Sequence, residues 1–104
     1  MSSLNFFQEE LDNEVVVTLS GEIDISTVVE LREKLYSVVD KSDKNLRLEC
    51  SNLNYIDSTG LGVLVGVLKK VKNKGKDIYI TNLQHNIKKL FLITGLNKVF
   101  MIEE

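Results

Sequence analysis

Asp57, Ser58 and Thr59 stand directly ahead of Gly60, Leu61 and Gly62, a carboxylate beside two hydroxyls within one short motif. Three kinds of chemistry are open to such a group. A serine hydroxyl attacks a substrate when a base takes its proton. It accepts a phosphoryl group when a kinase reaches it. Alternatively, Asp57 or Ser58 does no more than cap a helix. The hydrolase reading requires a histidine at the serine with a carboxylate behind it. The one histidine, His85, lies in the polar stretch Asn82-Leu83-Gln84-His85-Asn86, and Ser58 lacks the Gly-x-Ser-x-Gly elbow. His85 reads as a solvated or capping residue. An enzyme working through Asp57 and Ser58 directly would need a general base that the sequence does not supply.

Other chemistries find fewer residues still. One histidine and one cysteine do not make a transition-metal site. Cys50, alone, forms no internal disulfide and follows an apolar strand, so it reads as a buried core thiol. Gly60-Leu61-Gly62 has Val65 where a dinucleotide fingerprint needs its third glycine, and no Gly-Lys-Ser/Thr marks a P-loop. The lysines between 69 and 76 read as a solvated helix end; net acidity and the lack of a reader motif argue against nucleic acid. The N-terminus has no basic start and long apolar run, so no signal peptide is expected. No stretch approaches the roughly 20 apolar residues of a membrane span. A cytoplasmic protein without a cofactor of its own is the expectation.

The elements that must position Ser58 follow from periodicity. The 104 residues suit one domain, 1–104, with 43% apolar and 27% charged residues. Val15–Ser20 is a β-branched strand extending to Ile23. Leu4, Phe6 and Gln8 alternate with their neighbours, and Asp12-Asn13 is a turn, so residues 4–20 predict an antiparallel hairpin. Thr27 with Glu30 has the spacing of a capping box. Val28, Leu31, Leu35 and Val38-Val39 then recur at helical spacing. Asn45–Glu49 is a strand, with Ser51–Tyr55 leading out of it. Leu61, Leu64, Val65, Leu68 and Val71 form the strongest helix, closed by lysines and Gly75. Asp77–Thr81 is a strand, Ile87 to Thr94 a short helix ending at Gly95, and Phe100 and Ile102 a last strand. Alternating strands and helices after a hairpin predict an α/β fold with a mixed, mostly parallel sheet.

In that frame the Ser58 segment lies between a strand end and a helix start, where α/β folds place their sites. Unpaired N–H groups at the helix start favour negative charge there. Gly60 and Gly62 clear side chains from beside the hydroxyls, while Gly62 and Gly66 could equally serve tight helix–sheet packing. The residues alone leave the capping and phosphoacceptor readings side by side. Charge is uneven: residues 1–57 carry five Lys/Arg and 12 Asp/Glu (−7), residues 58–104 eight and three (+5). Most of this reads as solvated surface.

Asp57-Ser58-Thr59-Gly60-Leu61-Gly62 resembles the phosphorylation motif of bacterial anti-sigma factor antagonists, the STAS-domain family. Leu19-Ser20-Gly21-Glu22-Ile23-Asp24 resembles that family's second hallmark, and the order of elements fits over nearly the whole chain. The resemblance implies the STAS fold, Ser58 as phosphoacceptor and Thr59 as the less favoured hydroxyl. It places Asp24, Ser26, Thr27, Asp57, Thr59, Gly60 and Gly62 at the partner-binding face. It implies partner switching. The unphosphorylated protein binds an anti-sigma factor serine kinase of GHKL type and frees the sigma factor; phosphorylation ends that binding and a serine phosphatase restores it. ATP and magnesium then belong to the kinase, and the protein is a monomer and not an enzyme. A scaffold subunit of a stressosome-like or lipid-transport complex is the alternative, for which an acceptor serine has no evident use.

Overall fold

Val15, Val17 and Leu19 alternate with less buried neighbours, and the same alternation places Leu46, Leu48 and Cys50, then Ile78 and Ile80, on one face of a sheet. The computed structural model describes residues 2–104. Its strands are β1 (Leu4–Glu10), β2 (Glu14–Ile23), β3 (Asn45–Ile56), β4 (Ile78–Thr81) and β5 (Met101–Glu103). Its helices are α1 (Val28–Asp40), α2 (Ser58–Asn73) and α3 (His85–Ile93), with a 3₁₀ turn at Leu96–Lys98. The sheet order is β1-β2-β3-β4-β5. β1 pairs antiparallel with β2, and every later pair is parallel. This is the α/β mixed sheet with an opening hairpin that the sequence predicts.

Strand order follows chain order, so each right-handed crossover steps one strand in the same direction. All three helices therefore cover one face. Leu31, Leu35 and Val39 of α1, Leu61, Leu64, Val67, Leu68 and Val71 of α2, and Ile87 and Phe91 of α3 meet the buried sheet positions there. Across the other face Arg47 ties β3 to both flanks. It donates to Glu14 at 3.0 Å and Glu103 at 2.6 Å, and lies over the Tyr79 ring.

Three local expectations are revised. β3 does not end near Glu49 but continues to Ile56, because Leu53 and Ile56 remain buried against the end of β2. The pairing shifts register between Thr18 and Ser20 and again between Gly21 and Glu22, which hides the alternation from a sequence reading. Thr27 precedes α1 but makes no side-chain cap to it, so the capping box does not form. Gly66 packs against α1 rather than the sheet: a methyl at Gly66 would lie 2.7 Å from the Tyr36 hydroxyl.

Candidate functional site: the strand ends at Asp24 and Asp57

Parallel pairing ends at Ile23 opposite Ile56, so β2 and β3 release the chain side by side. The next residues are Asp24 and Asp57. The Asp57 N–H donates to Ile23 O at 3.3 Å and ties the two exits together. From each exit a helix starts, α1 after the turn Asp24–Thr27 and α2 at Ser58.

Asp57 is the N-cap of α2. Its Oδ1 accepts from the N–H of Thr59 at 3.0 Å and of Gly60 at 3.2 Å, and from the Thr59 hydroxyl at 2.5 Å. These bonds, led by the Thr59 hydroxyl, hold its carboxyl below the usual carboxylate range, against a smaller opposing push from the Asp24 charge. Capping is thus assigned to Asp57, which releases Ser58 from it. Ser58 is exposed in the first turn, and no described residue hydrogen-bonds its hydroxyl. Because Asp57 already occupies two helix-start donors, those donors are not free for a second negative group. A charge added at Ser58 faces solvent beside an ionised aspartate.

The β2–α1 turn is equally fixed. Asp24 accepts from the Ser26 N–H at 2.9 Å, the Ser26 hydroxyl at 2.7 Å, and the Ser2 hydroxyl. The Ser2 bond is the largest cause of its lowered pKa, followed by Ser26. The Thr27 hydroxyl donates to Glu22 O at 2.8 Å and accepts from the Asp24 N–H at 3.0 Å. Thr27 is 5% exposed, so it braces the turn and offers a partner no surface. Gly60 is likewise buried: a methyl there would fall 2.4 Å from Ile23 and 2.7 Å from Ile56. Gly62 is exposed, with nothing within 4 Å of such a methyl. Gly21 has φ +113, and its open side receives Ser3 O, which also accepts from the Glu22 N–H at 2.9 Å. The site thus brings together Asp24, Ser26, Asp57, Ser58, Thr59 and Gly62 on its surface, with Thr27 and Gly60 beneath.

His85 opens α3 and is exposed, and no described residue connects it to Ser58. Cys50 is buried and its thiol is pushed up to about 12, which leaves it unreactive in the fold. Among the described residues no cluster of His, Cys, Asp or Glu could hold a metal ion, and no helix is long and apolar enough to cross a membrane.

Residues 7–104 match the STAS domain. The chain belongs to the STAS family. Two curated relatives carry the same description, "Anti-sigma-B factor antagonist". The protein of Bacillus subtilis strain 168 is 37% identical over 100 residues, covering 96% of this chain and 91% of its own. That of Staphylococcus aureus strain NCTC 8325 is 35% identical over 102 residues, covering 98% and 94%. A solved anti-sigma factor antagonist from Mycobacterium paratuberculosis superposes with a TM-score of 0.83 at 28% identity, covering 97% of this chain and 86% of that one.

Around the Ser58 loop of this STAS domain lie apolar side chains that the sequence reading did not single out. Ile25 is 78% exposed and Val29 53%. Ile25 fits neither the alternation of β2 nor the apolar stripe of α1, and an aliphatic residue between Asp24 and Ser26 was the available signal.

Proposed function

We propose that this chain is an anti-sigma factor antagonist, cytoplasmic and monomeric, whose partner binding is turned off by a phosphate on Ser58. Unphosphorylated, it binds an anti-sigma factor that is also a GHKL-type serine kinase, and the sigma factor is released. The kinase, holding ATP and magnesium, transfers the γ-phosphoryl group to Ser58 Oγ. The bond from that phosphorus to the β-phosphate oxygen breaks, ADP leaves, and the hydroxyl proton passes to a base on the kinase. A separate serine phosphatase removes the phosphate.

One observation carries this reading: the Ser58 hydroxyl is exposed and uncommitted, while the hydroxyl beside it is bound to Asp57. The phosphate adds about −1.5 to −2 charges at a place where Asp57 and Asp24 are already ionised. At a contact surface that charge brings repulsion and a desolvation cost, and needs no refolding. The relatives' shared description supports the antagonist role. Phosphosite mapping of the protein from its native cells tests the reading. A single phosphate on Ser58 is expected; phosphate confined to another residue, or none under any growth condition, would contradict it.

A further inference from the structure

We propose that the groove between α1 and the hairpin strands β1 and β2 is a binding site for a small amphipathic carboxylate, its apolar tail toward Phe6 and its head at Lys41. The site stands apart from the Ser58 switch, because Lys41 closes α1 at the end opposite the Asp24 turn.

The groove follows from where the cover of α1 stops. Val15 and Val17 of β2 are buried, but their register partners on β1, Glu10 and Gln8, are exposed on the same face of the sheet. β1 is the edge strand and projects past the helix. The overhang leaves a cavity of about 360 Å³, within the range of small-molecule sites. Its apolar lining comes from Phe6, Val15, Val17, Leu35 and Val38. Val38 and Lys41 follow Lys34 by four and seven residues, so the three share one stripe of α1, with the lysines about 10 Å apart along the axis.

Charge decides which end takes the head. Among the described residues neither Lys34 nor Lys41 is ion-paired. At the near end Lys34 lies over the Phe6 ring, 5.4 Å from its centre, and Glu33 beside it offsets its charge. At the far end Glu10 is already bonded by Lys44 at 2.7 Å, which leaves the charge of Lys41 in excess. The Ser42 hydroxyl lines that end too and accepts from the Lys44 N–H at 3.1 Å, so its own proton remains to be donated. One excess positive charge and one hydroxyl match a monoanion. The lining holds no arginine fork, which a phosphate group would favour. The apolar wall running from Val38 to Phe6 then takes the tail out of water.

Methyl-resolved NMR of the full chain, titrated with sodium octanoate, tests the site. Saturable shifts are expected at Val15, Val17, Leu35 and Val38. Hexanoate is expected to bind roughly tenfold more weakly, since two methylenes fewer leave water. Octylammonium, with the same tail and the opposite charge, is expected to leave these methyls unmoved. Lys41→Gln is expected to weaken octanoate about fivefold with an unchanged melting temperature, and Lys34→Gln to stay within about twofold of wild type. Failure to saturate below the micelle concentration of octanoate, or shifts centred instead on Leu92 and Ile93, would overturn the site. Equal binding of octylammonium, or equal losses in the two lysine variants, would overturn the head at Lys41. Shifts of the same methyls on diluting the chain alone would assign the groove to a second copy and overturn the carboxylate.

Discussion

The Thr59 hydroxyl donates to Asp57 Oδ1 at 2.5 Å, and this bond separates two adjacent hydroxyls by role. Thr59 is committed to the helix cap; Ser58, one residue earlier, is not. Incubation with the cognate kinase and ATP should therefore label wild type and Thr59→Val to the same stoichiometry at Ser58. Ser58→Ala should lose at least about 90% of the label, since no equivalent free hydroxyl replaces it. Mass-spectrometric site mapping checks this, and full labelling of Ser58→Ala at Thr59 would contradict it.

The Asp57 cap also predicts a response to acid. A carboxyl whose pKa is lower in the folded than in the unfolded chain contributes stability that is present above the unfolded value, near pH 4. That contribution disappears as pH falls through the folded value. Asp57 and Asp24 are both depressed, so the native state should weaken as pH drops below about 4. Asp57→Asn keeps a capping oxygen without the titrating charge. It should melt a few degrees below wild type at pH 7, and the gap should narrow progressively as pH falls below about 4. Circular dichroism melts across that range check this; a gap independent of pH would contradict it.

Glycines in the two hallmark segments serve separate ends, and substitution should sort them. Gly60→Ala places a methyl 2.4 Å from Ile23 and should destabilise the domain by roughly 1–3 kcal/mol through overpacking. Gly21→Ala should cost more, because the added methyl would meet the Ser3 backbone oxygen at 2.2 Å and φ is +113. Urea unfolding of both variants measures the order. Gly21→Ala as stable as wild type would contradict the close approach of the N-terminal segment.

Much of this architecture was legible because it is written in periodicity. The stripe from Leu61 to Val71 and the alternation of Val15, Val17 and Leu19 are both in place, as is the alternation of strand and helix that dictates a parallel sheet. What escaped depends on contacts between distant segments. The outer half of β3 is held by pairing with β2 across register shifts that break the local pattern. Thr27 carries the spacing of a capping box, yet its hydroxyl is taken by Glu22 O and the Asp24 N–H. Ser2, among the first residues of the chain, reaches Asp24 through the pairing of β1 with β2, which no local spacing reveals. At the site, the Asp57-Ser58-Thr59 motif announced itself. The partition of its roles, cap for Asp57 and free hydroxyl for Ser58, required the geometry of the helix start.

Titration of the anti-sigma factor with the antagonist in its unmodified and its Ser58-phosphorylated form bears most directly on the whole account. A penalty of about 3 kcal/mol corresponds to a loss of affinity of roughly two orders of magnitude, and that loss is the predicted result. Equal affinities for the two forms, each confirmed by mass to carry none or one phosphate, would contradict it.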